Sequence, residues 1–303
     1  MAEAHPVGIV WFGVVLFSTG PVLVAGASIT GVAFSFWRLW CGVLILGAAM
    51  LVRRVLSDDT TSGRGWLWAG GCGVMFAIHQ LMFMTAVQET SVVDATLMNT
   101  IAPIVVGLLA VRAFGERPGL QFRAWSALAM LGAAGVALAG STGPEGDPTG
   151  MALAAGNVLF YAFYFVGSKM ALPHISTVPF LFGNIVAAAV TVSVFVLVTG
   201  EVVAPVDGTD LLRCAAVALL PGAVGHFSIT WSLRSVPANL PPVIMLSIPV
   251  MSGAMAWVLL GQDVRGAQAV AGVVTLVAVA GAVRSPSATA LRADEALALA
   301  EET

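Results

Sequence analysis

Charged side chains are scarce in this chain. Of its 303 residues, 10% are charged and 58% are hydrophobic, whereas soluble domains average about 25% charged and about 45–50% apolar residues. Such a chain is not disordered, and it has too few polar side chains to cover the surface of a soluble enzyme. Its net charge of −3, without a basic cluster, excludes a nucleic-acid binder. The composition predicts a polytopic membrane protein surrounded by a lipid bilayer.

Cysteine and histidine are also rare. The three cysteines, Cys41, Cys72 and Cys214, lie in apolar runs without a CxxC spacing, which argues against a disulfide framework and a zinc site. Two of the four histidines, His5 and His174, fall at the N-terminus and in a loop, so we predict no bound metal. A phosphate-binding loop of the form GxxxxGK[ST] is missing, which excludes ATP hydrolysis by this chain as its source of energy.

Ten apolar runs are long enough to cross a membrane as helices of about 20 residues. We number them spans one to ten, and they cover residues 7–25, 30–51, 66–88, 91–113, 121–140, 149–168, 177–199, 211–233, 239–260 and 266–284. The loops between them are too short for a soluble domain, and residues 285–303 form a polar tail. The predicted fold class is an all-α membrane protein with ten transmembrane helices.

Basic residues are concentrated in one set of loops. Of the 13 lysines and arginines, ten lie there or after the last span, two lie in the opposite, acidic loops, and Arg38 lies within span two. Because lysine and arginine mark the cytoplasmic side, we expect a protein of the cytoplasmic membrane with both termini and the tail in the cytoplasm. Glu116 and Lys169 fall on this side, where we expect loop arginines to pair with Glu116 and lipid headgroups to surround Lys169.

The second half of the chain matches the first at a constant offset of 146 residues. The matching pairs include prolines, glycines and polar residues inside spans: Pro103 with Pro249, Gly107 with Gly253, Arg38 with Asn184, and Gln80 with His226. We therefore predict two repeats of five spans each, residues 1–144 and 149–284. Because five is an odd number, the second repeat must enter the membrane inverted, as in secondary transporters.

A family resemblance is carried by residues 86–140, AVQETSVVDATLMNTIAPIVVGLLAVRAFGERPGLQFRAWSALAMLGAAGVALAG. This stretch has a proline inside span four (Pro103), the pair Gly115-Glu116 at the end of that span, and a glycine-rich span five. With these features it resembles the EamA-type half of the drug/metabolite transporter superfamily.

The second copy of this stretch, residues 232–284, has Pro249 and then Gly261, but Gln262 stands where the family usually has glutamate. Arg38, inside span two, is a further familial feature. The resemblance implies a transporter without a bound cofactor. Relatives mostly export amino acids, metabolites or drugs, and others carry sugar phosphates or nucleotide sugars.

Arg38 lies near the middle of span two. An ionisable group at the centre of a span costs about 2.5–3.5 kcal/mol on insertion scales, so it is a candidate for function. Two interpretations stay open. Arg38 either binds an anionic group of the substrate or holds neighbouring helices together.

His79 and Gln80 lie near the centre of span three. His226 occupies the position of Gln80 in the second repeat, so these residues should flank a pseudo-twofold axis. Histidine titrates at about pH 6.5 and is the natural proton carrier of a coupled transporter. A neutral, hydrogen-bonded core histidine is the alternative for His79. We predict that all three residues line the substrate site.

Span six has the clearest polar face. Asn157, Tyr161, Tyr164 and Ser168 recur at helical spacing, and the two tyrosines are the only ones in the chain. Because Tyr161 and Tyr164 lie away from the ends of the span, a cavity wall is favoured over an interfacial aromatic belt.

Proline interrupts spans four and nine at matching positions. Pro103 has no N–H and leaves the carbonyl of Asn99 without its helix partner, and Pro249 has the same effect in span nine. Irregular backbone at membrane depth is tolerated where it is buried or lines a cavity. We predict that Asn99 binds substrate and that both prolines are hinges, with two harmless kinks as the alternative.

The predicted function is secondary transport of a small organic solute by alternating access, outward, and driven by protons or by the solute's own gradient. An intramembrane enzyme is one alternative, but the spans contain no HExxH, no GxSxG and no aspartate pair. A non-transporting scaffold is the other, and such proteins usually carry a sizeable soluble domain. The sequence leaves the substrate and the oligomeric state open.

Overall fold

The computed structural model describes residues 6–24, 27–56, 61–89, 98–140, 148–261 and 263–285. Within these ranges the chain forms helices and no strands. Nine helical segments of the described chain are long and apolar enough to cross a membrane, if the interrupted segments Gly208–Ser232 and Leu240–Leu259 are each counted as one. The shorter apolar helix Met98–Phe114 takes the place of span four. The start of predicted span four and the tail after Ser285 lie outside the described residues. The predicted all-α fold class is confirmed.

The helices follow the predicted spans closely. In the first half they are α1 (Pro6–Val24), α2 (Gly31–Leu56), α3 (Gly63–Glu89), α4 (Ala102–Phe114) and α5 (Leu120–Gly140). In the second half they are α6 (Pro148–Ala171), α7 (Thr177–Thr199), α8 (Gly208–Val217), α9 (His226–Ser232), α10 (Leu240–Met245), α11 (Ile248–Leu260) and α12 (Gly266–Arg284). Span eight combines α8 and α9, span nine combines α10 and α11, and α12 is span ten.

Spans four and nine are both interrupted just before a proline. Helices α4 and α11 each begin after a turn, so Pro103 and Pro249 lie in the first turn of their helices. Proline is favoured there because an N–H in the first turn has no partner within the helix. Both helices end at a glycine in the left-handed region, Gly115 with a φ of 68° and Gly261 with a φ of 66°. The two prolines therefore mark restarted helices at equivalent positions of the repeat.

Span eight changes helix type in its middle. Between α8 and α9 the chain forms a π-helix at Ala218–Gly225, which contains Pro221. Proline removes an N–H from the helical ladder, and π-helical turns frequently lie at functional sites. The apolar run in the sequence predicted span eight. Its irregular backbone was not predicted, although the pair Pro221-Gly222 is a sequence feature that indicates it.

A loop of each half contacts the other half, as expected for an inverted repeat. Between α1 and α2, Ser28 donates its N–H and its hydroxyl to Asp210 Oδ2 at 3.1 and 2.6 Å. At the other end of the bundle, before α3, the hydroxyl of Ser62 donates to the carbonyl oxygen of His174 at 3.4 Å. His174 is the repeat equivalent of Ser28. The connection between α1 and α2 thus contacts the second half, and the connection between α6 and α7 contacts the first half at the opposite end.

Large apolar side chains cover the outside of the bundle. Several of them are 72–86% exposed, among them Leu44, Val55, Leu197, Val198 and Val258. Water would not favour such a surface, whereas lipid tails are as apolar as these side chains. The chain is a multi-pass membrane protein.

Helices α5 and α12 approach each other closely at a glycine. A Cβ atom on Gly132 would lie 2.9 Å from the backbone nitrogen of Thr275, whereas a Cβ atom on Gly107 of α4 would meet no atom within 4 Å. Alanine at position 132 would therefore force the backbone to shift, whereas alanine at position 107 would not.

We expect Gly132→Ala to lower the free energy of unfolding by about 1–3 kcal/mol, as overpacking does. The matched variant Gly107→Ala should be neutral or gain about 0.5–1 kcal/mol, because alanine is the better helix former. Thermal unfolding of both variants in detergent measures the difference. An unchanged Gly132→Ala beside a destabilised Gly107→Ala would contradict this packing.

Candidate functional site

Polar side chains from both halves meet inside the bundle around one aromatic ring, that of Phe76 on α3. Its ring centre lies 5.1 Å from that of Tyr164, 5.3 Å from that of His226 and 5.9 Å from that of His79. The guanidinium carbon of Arg38 lies 5.8 Å from the same centre. Four of the predicted site residues thus surround Phe76.

Arg38 is held by hydrogen bonds within the first half. Its guanidinium donates to Gln80 Oε1, and Gln80 Nε2 in turn donates to the hydroxyl of Ser35 at 3.0 Å. Ser35 and Gln80 are both buried. The bond to Ser35 turns the amide so that its oxygen faces the guanidinium, and Gln80 therefore positions Arg38.

A small cavity lies where Arg38 meets the second half. It is lined from both halves, by Arg38, Gly42, Phe76, Asn184, Gly222 and His226 among others. Its free volume of about 20 Å³ holds about one or two water molecules and is too small for an organic solute. The repeat pairs Arg38 with Asn184 and Gln80 with His226 therefore converge at one place.

His226 connects this cavity to span six. Its Nδ1 lies 3.1 Å from the hydroxyl of Tyr164, which is buried. The imidazole packs edge-on against Phe17 of α1 and Phe76 of α3, with ring centres 4.8 and 5.3 Å away. In the part of the chain that the structure describes, no three His, Cys, Asp or Glu side chains are close enough to hold a metal ion.

A second network of predicted site residues lies along span six. His79 packs on Tyr161 with ring centres 5.3 Å apart, and its Nδ1 lies 3.4 Å from the carbonyl oxygen of Asn157. Asn157 Nδ2 donates to Asn99 Oδ1 at 2.8 Å, and the hydroxyl of Tyr161 lies 3.3 Å from the sulfur of Met245. Asn99 precedes the restart of α4 and Met245 precedes that of α11. This network therefore joins span six to both interrupted spans.

An ion-pair network, which we call the latch, ties the halves together at the arginine-rich end. Lys169 Nζ lies 2.5 Å from Glu116 Oε1 and donates to the carbonyl oxygen of Val236 at 2.9 Å. The other carboxylate oxygen of Glu116 accepts the N–H of Ala238 at 2.7 Å. Glu116 belongs to the first half and its partners to the second. The latch corrects the expectation that loop arginines pair with Glu116.

A wider cavity opens beside the latch. It has a volume of about 630 Å³ and is lined by residues of both halves, including Thr61, Phe114, Lys169, Leu233 and Arg234. Ligand pockets for small molecules measure about 300–1,000 Å³. This space is therefore wide enough to admit a small organic solute up to the latch.

Some residues of the site have no clear signal in the sequence. Phe76 is one turn before His79 and Gln80, so helical spacing would have placed it on the same face. Phe17 comes from another helix, and an apolar residue in an apolar span gives no sign of its neighbours. Asn184 was matched to Arg38 by the repeat but was not predicted to bind.

Comparisons with known proteins agree with this architecture. The model of the EamA-like transporter family matches residues 7–138 and again residues 148–284. A solved structure described as "Crystal structure of protein" has a TM-score of 0.77 and 21% identity, and the match covers 90% of this chain and 94% of that one. At that identity the likeness shows the fold alone. The comparison with curated proteins gives no match.

We expect Tyr164→Phe to lower the melting temperature more than Tyr161→Phe. The first change leaves His226 Nδ1 without this partner, and an unsatisfied buried polar group costs about 1–3 kcal/mol. The hydroxyl of Tyr161 faces the sulfur of Met245, which is a weak acceptor. Thermal unfolding in detergent ranks the two variants, and the reverse order would contradict the pairing of Tyr164 with His226.

Proposed function

This chain belongs to the EamA-like transporter family, and we propose that it moves a small organic solute by alternating access of two inverted halves. Membership confirms the resemblance carried by Pro103 and Gly115-Glu116. At the level of the family, the chain is a membrane transporter of small molecules, and the family's members are transporters rather than enzymes. The direction, the driving force and the site residues are our proposals.

The convergence of residues from both halves on one interior cavity supports alternating access most strongly. Arg38 and Phe76 line it from the first half, and Asn184 and His226 line it from the second. A solute bound between two such halves is exposed to one side or the other as they rock against each other. A scaffold that transports nothing has no need of polar groups at this depth, where they are costly.

The proposed direction is export across the cytoplasmic membrane. The arginine-rich end then faces the cytoplasm, and the wide cavity at that end is the entrance for the solute. Because the latch joins the halves there and the central cavity is too small for a solute, this conformation is closed to the cytoplasm. Opening of the latch admits the solute to Arg38 and Phe76.

Protons are the proposed driving force, with His79 as their carrier. Its imidazole contacts Tyr161 and Asn157 in the interior, and an imidazole can bind and release one proton. The solute's own gradient is the alternative driving force. The two differ in one property, since only proton coupling lets an imposed pH gradient drive net flux.

We expect His79→Ala and Tyr164→Ala to reduce transport to background while the protein still folds and inserts. Metabolites excreted by cells with and without the protein identify a solute, and flux of that solute into sealed vesicles is then measured for each variant. Arg284→Gln, at the end of α12, serves as the control and should transport normally. Wild-type flux in both alanine variants would contradict the proposed site.

The same vesicles test proton coupling. A pH gradient should drive flux through the wild-type protein and not through His79→Gln, because glutamine cannot carry the proton. Arg284→Gln, at the end of α12, should respond to the gradient as the wild type does. A gradient-driven flux that survives in His79→Gln would exclude His79 as the carrier.

Breaking the latch should open the arginine-rich end. We expect Lys169→Met to speed the labelling of a cysteine placed at Leu233, which is buried in the wall of the wide cavity, in a variant without the native cysteines. Arg213→Met is the matched control, because it removes the Arg213–Asp210 ion pair of 2.9 Å, which lies within one half. Equal labelling rates in both variants would show that the latch does not hold the halves together.

A further inference from the structure

We infer that the cavity at Arg38 binds a monovalent anionic group, in the first place a carboxylate of the transported solute. A free chloride ion is the other source of the same charge. The inference rests on the proposed function, because it names the class of solute that the two halves carry. Its support comes from the charge, the unpaired donors and the lining of this cavity.

Arg38 brings a positive charge into the bundle without a counter-charge among the described residues. Its described partners are neutral, namely the amide oxygen of Gln80 and the ring of Phe76. The described carboxylates that form ion pairs, Glu116 and Asp210, have other partners. An unpaired charge inside a membrane protein is costly. A bound anion in the cavity would supply the missing negative charge.

Two buried donors of residues that line the cavity have no acceptor among the described residues. They are Nε of Arg38 and Nδ2 of Asn184. Asn184 is only 4% exposed, and it lines the cavity from the second half as Arg38 does from the first. Water could accept hydrogen bonds from both donors, but only an anion also balances the charge. The planar guanidinium is suited to a carboxylate, which accepts two parallel hydrogen bonds.

The remaining lining of the cavity is compatible with an anion. None of the described lining residues is an aspartate or a glutamate, and Gly42 and Gly222 leave room beside the guanidinium. His226 Nδ1 is already engaged by Tyr164. The bond from Gln80 to Ser35 keeps the Gln80 oxygen on Arg38 and leaves Nε of the guanidinium available.

The two donors come from equivalent positions of opposite halves. An anion held by both Arg38 and Asn184 loses one of them when the halves separate at this point. Its affinity therefore differs between the two conformations, and a ligand with different affinity for two states shifts their populations. The proposed anion thus links binding of the solute to the movement that carries it.

Thermal unfolding of the purified full-length protein tests the inference with defined probes. Benzoate and indole-3-acetate are the carboxylates, because aromatic rings adjoin the cavity, and benzamide and indole-3-acetamide are their neutral counterparts. Chloride is a separate probe, and all samples have equal ionic strength with sulfate as the background anion. We expect the carboxylates to raise the melting temperature and the amides to have no comparable effect.

The variants locate the bound charge. Arg38→Gln and Asn184→Ala should each weaken carboxylate binding by about tenfold or more, the loss expected when a charge-assisted hydrogen bond is removed. Arg284→Gln removes a charge elsewhere and should bind as the wild type does. Asn184→Ala keeps Arg38 in place, so it decides the question if Arg38→Gln does not fold.

Several results would overturn the inference. These are equal stabilisation by amides and carboxylates, carboxylate binding that survives in both variants, and the absence of stabilisation by every anion. If chloride alone stabilises the protein and this effect is lost in Arg38→Gln, the site binds an inorganic anion and not the carboxylate of a solute.

Vesicle flux separates the anion site from the transport proposal. Equal flux of a neutral solute through the wild type and Arg38→Gln would support the transport proposal and contradict the anion site. Carboxylate binding that depends on Arg38, without flux of any solute that cells excrete, would support the anion site and contradict the transport proposal.

Discussion

A polar group inside a bundle surrounded by lipid must find its partners within the protein or in a cavity that the protein encloses, because lipid supplies none. Arg38 is the extreme case in this chain. Gln80 and Ser35 hold its guanidinium on one side, and on the other side it meets the second half at the cavity lined by Asn184 and His226. The need to satisfy one charge thus brings spans from both halves to the same point.

The same constraint determines where the backbone can be irregular. Spans four, eight and nine each depart from a regular α-helix beside a proline, and a regular ladder would have left unpaired carbonyls there. The π-helix of span eight borders the central cavity, and Asn99 and Met245, just before the two restarted helices, contact residues of span six. Irregular backbone and polar side chains are therefore concentrated at the junction of the halves, where a rocking movement needs them.

Much of this architecture can be predicted from the sequence. A span of about 20 apolar residues is a physical requirement of the bilayer, so the runs reveal the helices directly. The match of Pro103 with Pro249 and of Gln80 with His226 reveals the inverted repeat, and the repeat assigns Arg38 and Asn184 to equivalent positions of opposite halves. The polar stripe of span six likewise selects Tyr161 and Tyr164 by helical spacing alone.

Contacts between distant helices are the part that sequence reasoning cannot supply. Phe17 is an apolar residue in an apolar helix, so no pattern distinguishes it from residues that face lipid. The partner of Glu116 depends on which loops meet at the arginine-rich end. From the sequence, several loop arginines could have paired with Glu116 as well as Lys169 could. Pairings of this kind follow from the packing of whole helices, which periodicity within one helix does not report.

The distance between the two halves at the arginine-rich end tests their movement against each other most directly. Spin labels at Ser62 and Ser235, both exposed, report this distance by pulsed electron resonance in lipid. We expect two populations of distances, with the longer one enriched when Lys169 is replaced by methionine. A single narrow distance that does not change when the latch is broken would contradict it.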